Sequence, residues 1–339
     1  MQKPKVSVAV VAYNEEKDIR ACLDSLAALD YPKDLFDVTV VDNASTDRTR
    51  EVVGEYAARD PRFRVVENPV RGIGHSRNAA LRECRHDLLA FTDADCTVEP
   101  DWLTKLATAF AEARAEDPAV AAAGGSNVAP KETNRFRQAV AVAVTNFWGN
   151  HGSVQGKLMA GRTFVEHLPT LNVLYDRKLV LELGGFDAGM GNISEDVDLS
   201  YRLRWAGKKL LYVPDCAVRH VWRTDLASWC ENMVVYGKGR SWLVKKDLRF
   251  FNPMILAPIG LLSCALLSPL FPLPFWPLVL LHASLSAFVS VWACAKAGRL
   301  DLTADVFVVY LATHYSYGAG QLVGLVQPRG FDVKRLNRR

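Results

Sequence analysis

Two carboxylates one residue apart, Asp93 and Asp95, have the residue type and spacing of a metal site. They follow the apolar run 88–92, which predicts a buried strand. Ligands of open α/β sheets gather at the carboxyl ends of strands, and paired carboxylates there suit Mg²⁺ or Mn²⁺. Asp is also common in ordinary turns. His220, after a predicted strand at 209–213, is either structural or a further ligand of that metal.

A second acidic cluster, Glu195, Asp196 and Asp198, lies at the predicted start of a helix. Ser194 precedes it as the expected N-cap, and the helical pattern runs over 197–205. Acidic residues are favourable near a helix N-terminus, but this preference does not explain three acidic residues within four positions. A carboxylate placed there can act as a general base toward a substrate hydroxyl.

Alternating strand and helix patterns over residues 5–222 place these groups. Strands are predicted at 6–11, 38–41, 63–66, 88–92 and 209–213, and helices at 75–83 and 197–205. An early helix is predicted from the spacing of Ile19, Cys22, Leu23 and Leu26 on one face. This βαβα order predicts an α/β fold with a mostly parallel, doubly wound sheet.

The ends of the first two predicted strands carry polar and turn-forming residues at 12–16 and 42–47. A nucleoside suits this position, because Asp42 can accept from a base N–H or a ribose hydroxyl and Tyr13 can cover a ring face. Alternatively, Asn14, Asn43 and Ser45 only shape turns and caps. Three polar strand ends at one sheet edge favour the binding interpretation.

A glycine-containing loop at 68–78 enters the predicted helix at 75–83. No Gly-x-Gly-x-x-Gly follows the first strand, so the dinucleotide-binding fingerprint is missing. The helix N-terminal amides and Arg77 can hold an anionic diphosphate. An ordinary connection with a solvated arginine remains the alternative.

The composition limits the possible partners and the compartment. A net charge of +4 over 339 residues does not indicate a nucleic-acid-binding surface. Seven cysteines without Cys-x-x-Cys spacing predict reduced thiols in a cytosolic setting. The N-terminal residues lead directly into a strand pattern without a signal-peptide pattern, so we expect this end to remain unexported.

The C-terminal part predicts membrane association. Residues 253–295 contain no charged side chain, which allows passes at 254–272 and 275–295, and a third apolar stretch covers 306–326. A buried core hairpin is the alternative. Positive flanks predict that both ends of the first two segments are cytoplasmic. A third full pass would then place the basic tail at Lys334, Arg335, Arg338 and Arg339 on the outer side. The third segment is therefore re-entrant or interfacial, or the tail is an exception to the positive-inside rule.

Six motifs in order resemble family 2 glycosyltransferases with the GT-A fold over about residues 5–222. They are Tyr13-Asn14-Glu15, Asp42-Asn43-x-Ser45-x-Asp47, Arg77-Asn78, Asp93-x-Asp95, Gly184-Gly185-Phe186-Asp187 and Glu195-Asp196-x-Asp198-Leu199. The resemblance implies an inverting transferase that uses a nucleotide-sugar donor, with UDP as the family-weighted choice, and Mn²⁺ or Mg²⁺.

The resemblance also implies roles for individual positions. The expected donor contacts are Ala12, Tyr13, Glu15, Asp42, Asn43, Arg77, Asp93 and Ala94. The expected metal ligands are Asp95, Asp93 and His220, of which His220 is the weaker match. Asp196 matches the catalytic base, with Glu195 and Asp198 as the neighbouring alternatives.

The chain departs from the family's processive synthases at 236–242, which lack their Gln-x-x-Arg-Trp motif. Processive chain extension with export is therefore not expected. Lys238, Arg240 and Trp242 are expected on the side of the acceptor or its diphosphate. The alternative is a basic loop at the membrane surface.

The predicted organisation is a catalytic domain at 1–225, an interfacial segment at 226–252 and membrane-associated helices at 253–339. We expect transfer of one sugar to a lipid-linked or cell-surface glycan at the inner membrane, with the catalytic domain facing the cytoplasm. The alternatives are a polyprenyl-phosphate glycosyltransferase, a processive polysaccharide synthase, or a non-catalytic scaffold or export partner that binds nucleotide sugars. The oligomeric state is left open.

Overall fold

The computed structural model describes residues 3–130, 133–150 and 153–329, which divide into two compact units. The α/β unit comprises the chain up to Val128 together with Leu158–Val221. The helical unit comprises, among the described residues, those of Ala129–Lys157 and those from Trp222 to 329. The predicted boundaries at 225 and 252 stay predictions, and the predicted basic tail lies outside the described residues.

The main sheet of the α/β unit has eight strands in the order β3-β2-β1-β4-β9-β6-β10-β8. They are β1 (Val6–Ala12), β2 (Phe36–Asp42), β3 (Phe63–Glu67), β4 (Leu88–Asp93), β6 (Val120–Gly124), β8 (Thr163–Val165), β9 (Val173–Asp176) and β10 (Lys209–Tyr212). Strands β3, β2, β1 and β4 pair in parallel, as do β6 and β10. Strand β9 is antiparallel to β4 and β6, and β8 is antiparallel to β10. The predicted α/β fold is confirmed, and its sheet is mixed, with four parallel and three antiparallel strand pairings.

A small second sheet has the order β5-β11-β7, from β5 (Cys96–Thr97), β7 (Asn127–Val128) and β11 (Val218–His220). The helices of the α/β unit are α1 (Ile19–Ala27), α2 (Thr49–Arg59), α3 (Ile73–Glu83), α4 (Trp102–Glu116), α7 (Arg177–Glu182) and α8 (Glu195–Trp205). The predicted apolar face of α1 is confirmed, because Ile19, Cys22, Leu23 and Leu26 are all buried. Their burial against the sheet contributes hydrophobic free energy that favours the helix.

Strand register brings the acidic strand ends together. Ala12 at the end of β1 pairs with Asp42 of β2, and Val11 pairs with Asp93 of β4. Parallel pairing in this register requires that all three strands end at the same edge of the sheet. The sequence expectation that these ends neighbour one another is thereby confirmed.

The helical unit contains α5 (Arg135–Ala143), α6 (Phe147–Asn150), α9 (Leu226–Lys246), α10 (Leu256–Leu267), α11 (Pro272–Lys296) and α12 (Thr303–Val326). Helices α9 and α12 approach closely at glycines. A Cβ on Gly237 would fall on the Tyr317 carbonyl, and one on Gly320 would fall on the Val234 carbonyl. The absence of side chains at these positions therefore permits backbone-to-backbone packing.

Within the described residues, α11 is the one helix with the length and apolar composition needed to cross a bilayer. It has 25 residues and a mean hydropathy of 1.9. The predicted first pass is instead a 3₁₀ turn at Pro253–Ile255 followed by the 12 residues of α10. A helix of that length spans about 18 Å, which is less than the roughly 30 Å of a hydrocarbon core.

Candidate active site

The segments after β1 and β2 hold each other through side-chain-to-backbone hydrogen bonds. Asn14, in the left-handed region at φ 54°, donates its N–H to Ser45 Oγ at 3.0 Å and accepts from Thr46 N at 2.8 Å. Asn43 Oδ1 accepts from the N–H of Gly72 at 3.0 Å. These bonds give Asn14, Asn43 and Ser45 a turn-shaping role, and the donor contact expected of Asn43 stays a prediction.

The other expected nucleoside residues lie around the same loops. Asp42 is buried, accepts from Ser45 N at 3.2 Å and lies 3.6 Å from Arg50 Nε. Tyr13 is half-buried, with the Arg71 guanidinium 4.3 Å from its ring centroid. Ala12 and Ala94 are buried, and Glu15 is half-buried with its N–H donated to Thr49 Oγ1 at 2.8 Å.

Arg77 links the two acidic clusters that the sequence predicts. Its guanidinium is buried, forms an ion pair with Glu195 and lies 3.5 Å from Asp93 Oδ1. The alternative of an ordinary solvated arginine is therefore wrong. The first N–H of α3, at Ile73, is donated to Asn192 Oδ1 at 2.8 Å. The expected contact of Arg77 with a diphosphate stays a prediction.

Asp95 and His220, two of the three residues expected to bind a metal, lie side by side, and their metal role stays a prediction. His220 Nε2 lies 3.3 Å from Asp95 Oδ2, and its Nδ1 lies 3.3 Å from the amide nitrogen of Asn127. An Asn amide nitrogen donates, so Nδ1 accepts and Nε2 faces the carboxylate. Cys96 also places its sulfur within 4.8 Å of both groups. Burial raises the pKa of the Cys96 thiol well above its usual value, which disfavours the thiolate needed for ligation.

The second acidic cluster occupies the first turn of α8. Ser194 is at the N-cap position but adopts left-handed φ 60°, and its side chain makes no capping bond, so the expected capping role is wrong. Asp198 is buried and forms an ion pair with Arg202 at 2.7 Å. Glu195 pairs with Arg77, which leaves Asp196 as the carboxylate of the three without an arginine ion pair among the described residues.

Asp196 instead contacts a histidine that sequence analysis did not single out. His167 Nε2 lies 3.2 Å from Asp196 Oδ2. Burial disfavours the charged form of Asp196, but the charges of His167 and then Arg77 outweigh it and hold the pKa of this carboxyl well below the usual aspartate value. His167 follows the short strand β8, and no motif or periodicity in the sequence marks it.

The acceptor-side residues expected in the helical unit lie on α9. Lys238 and Trp242 are buried, and the Lys238 ammonium lies 5.0 Å from the centroid of the Trp242 ring. Arg240 is half-buried. A contact of these side chains with an acceptor stays a prediction.

The parallel half of the sheet, with acidic groups at three neighbouring strand ends, has the architecture of the GT-A fold. The model of the family described as Glycosyl transferase family 2 matches residues 7–178, which is just over half of the 339 residues. The chain belongs to this family.

Named relatives agree with this assignment. Glycosyltransferase AglE of Haloferax volcanii is 35% identical over 103 residues, which are 30% of this chain and 34% of AglE. The dolichyl N-acetyl-alpha-D-glucosaminyl phosphate 3-beta-D-2,3-diacetamido-2,3-dideoxy-beta-D-glucuronosyltransferase of Methanococcus voltae is 21% identical, over 76% of this chain and 78% of that protein. The matches at 35% identity therefore span about a third of those relatives.

A solved structure confirms the predicted fold. Mannosyltransferase PcManGT from Pyrobaculum calidifontis, in complex with GDP-Man and Mn²⁺, superposes with a TM-score of 0.58. The sequence identity is 22%, and the match covers 92% of this chain and 88% of that one. At this identity the likeness concerns the fold.

Proposed function

We propose that this chain is an inverting glycosyltransferase that transfers one sugar from a nucleotide-sugar donor, with UDP the first choice, to a lipid-linked or cell-surface glycan. The observation that carries the proposal is the buried Arg77, which contacts Asp93 on the donor side and Glu195 beside the candidate base. In this proposal, the Arg77 guanidinium connects the donor side of the site with the side that carries the base.

In this proposal Asp196 is the general base. It accepts the proton of an acceptor hydroxyl while that oxygen forms a bond to the anomeric carbon of the donor. The bond from the anomeric carbon to the diphosphate oxygen breaks, and its electron pair leaves with the nucleoside diphosphate. The pKa of Asp196 is held low, so the carboxylate is ionised at neutral pH, as a proton acceptor must be.

Asp95 and His220 are the groups we propose to hold a divalent cation, with Asp93 beside them. Carboxylate and imidazole atoms within 4.8 Å of one another fit Mn²⁺ and Mg²⁺ as a donor set. A bound cation supplies positive charge opposite the departing diphosphate. The mannosyltransferase with a similar fold, solved with GDP-Man and Mn²⁺, supports the same choice.

The donor side of the proposal includes Asp42 and Tyr13 at the nucleoside, with Arg77 near the diphosphate. Their shared sheet edge supports this assignment, since Ala12 pairs with Asp42 and Val11 pairs with Asp93. The nucleotide is tested by a thermal-shift screen of UDP-glucose, UDP-N-acetylglucosamine, GDP-mannose and TDP-glucose with MnCl₂. A donor that binds the native state raises the melting temperature by mass action, whereas the absence of any shift contradicts a donor site.

The acceptor side of the proposal places the enzyme at the cytoplasmic face of a membrane, where lipid-linked acceptors lie. The apolar α11 supports this, as does the Methanococcus voltae relative, whose name specifies a dolichyl phosphate-linked substrate. Transfer to an undecaprenyl diphosphate-linked sugar but not to undecaprenyl phosphate is the expected result. The reverse preference would instead identify a polyprenyl-phosphate glycosyltransferase, whose ionised nucleophile needs no base.

A further inference from the structure

Both oxygens of the Asp196 carboxylate have a close polar neighbour. Its Oδ1 accepts from the N–H of Val197 at 2.8 Å, and its Oδ2 lies 3.2 Å from His167 Nε2. The His167 nitrogen is buried and makes no aligned hydrogen bond among the described residues, so its contact with Asp196 is one of proximity and charge. The side chains are 16% and 18% exposed, which limits screening of that contact by water.

The segment that carries His167 is anchored on either side of it. Glu166 accepts from Arg204 at 3.2 Å and lies 3.5 Å from the Tyr201 hydroxyl, both on α8. Leu168 is fully buried, and a Cβ built on Gly124 would come within 3.2 Å of it. His167 therefore follows a residue that contacts α8 and precedes a fully buried one, which restrains the backbone at this position.

Four charged or titratable groups surround Asp196: His167, Arg77, Glu195 and Tyr175. Burial raises the pKa of the Glu195 carboxyl to about 7 against the opposing charge of Arg77, and burial also raises the pKa of the Tyr175 hydroxyl. Arg77 pairs with Glu195, so the positive charge it offers Asp196 is shared. His167 is thus the group placed directly against the candidate base, with Nε2 3.2 Å from Asp196 Oδ2.

We propose that His167 is a positioning residue for Asp196, orienting its carboxylate and keeping it ionised for proton transfer from the acceptor. The proposal rests on the proposed function, because it takes Asp196 as the base. The sign of the expected pH effect follows from the depressed pKa of Asp196, which keeps the carboxylate ionised into the acid range. Without the His167 contact, burial dominates, the pKa of Asp196 rises, and the inactive protonated form appears at higher pH.

The test is the pH dependence of kcat/KM for sugar release from the donor identified by the nucleotide-sugar screen. In the wild type, kcat/KM should fall at acid pH as Asp196 becomes protonated, which gives the acid limb of the profile. We expect this limb to lie at least about one pH unit higher in the His167→Gln variant. His167→Lys restores a cation and should return the limb toward that of the wild type. His86→Gln is the matched control, because it removes a comparable contact of 3.6 Å to Asp37, on strand β2.

Melting temperatures of all variants separate folding defects from effects on Asp196. An acid limb at the wild-type pH in folded His167→Gln overturns the proposal, as does an equal loss of activity at every pH. If folded His167→Gln cannot be obtained, His167→Lys is compared with His167→Asn. The proposal is overturned if both variants move the acid limb of the kcat/KM profile upward by the same amount. Full turnover in Asp196→Asn would show that Asp196 is not the base. This result would overturn the proposed function, whereas an unchanged pH profile in His167→Gln would overturn only the role of His167.

Discussion

Asn78 and Phe186 are joined by two reciprocal hydrogen bonds. Asn78 Nδ2 donates to the Phe186 carbonyl at 2.8 Å, and Asn78 Oδ1 accepts from the Phe186 N–H at 2.8 Å. The pair ties α3 to the turn that precedes α8, and Arg77 lies one residue before Asn78. The Arg77–Glu195 contact therefore depends on a structural connection outside the candidate catalytic groups.

Replacing Asn78 with Ala should destabilise the fold by about 2 kcal/mol, because two backbone groups of the buried Phe186 lose their partner. Denaturant titration measures the change in the free energy of unfolding. Arg82→Ala, at an exposed position of the same helix, is the control and should change it little. Equal stability of the two variants would contradict the structural role of Asn78.

Two glycines with similar backbone angles should respond differently to alanine. Gly185 has φ +71° and a Cβ there would fall against Asn78 Oδ1, whereas Gly207 has φ +74° and open space around it. Gly207→Ala should cost about 1 kcal/mol, from backbone strain alone. Gly185→Ala should cost about 3 kcal/mol, because a steric clash is added. Equal unfolding free energies would show that the clash is relieved without cost.

The proposed cation site predicts selective loss of Mn²⁺ binding. Isothermal titration should show Mn²⁺ binding to the donor complex of the wild type, and EDTA should lower its melting temperature. Asp95→Asn and His220→Gln should each weaken binding by at least about tenfold, since each removes a ligand. The control Asp60→Asn changes a carboxylate paired with Arg62 and should bind normally. Unchanged affinity in both ligand variants would place the cation elsewhere.

Packing of α9 on α12 predicts a strong effect of Gly320→Ala. A Cβ at Gly320 would fall on the Val234 carbonyl, whereas one at Gly260 would meet nothing within 4 Å. In detergent, Gly320→Ala should be less stable by about 2 kcal/mol, since overpacking forces the backbones apart. Gly260→Ala should melt close to the wild type. Matching melting temperatures would contradict the close helix approach.

Sequence reasoning predicted the parallel strands and the apolar face of α1 because burial leaves a periodic signal. It also predicted that Asp42 and Asp93 share one sheet edge, since parallel strands end together. It could not predict that Ser194 would adopt a left-handed backbone, because Ser is ordinarily an effective N-cap. The antiparallel strand β9 between β4 and β6 was also not predicted, since its pairing is set by tertiary packing.

The partners within the candidate site were the least predictable part. Glu195 and Asp198 have the residue type of a base, yet the fold pairs them with Arg77 and Arg202. His167 lies 29 positions before Asp196 in a short loop with no periodic pattern. Such contacts depend on loop conformation, which local sequence patterns do not encode.

The central claim is that Asp196 takes the acceptor proton, and the Asp196→Asn variant tests it most directly. Sugar transfer and the thermal shift by the same donor with MnCl₂ are measured side by side for this variant and the wild type. We expect transfer to fall by at least about 10²-fold while the thermal shift is retained. Transfer at the wild-type rate, with the shift intact, would contradict it.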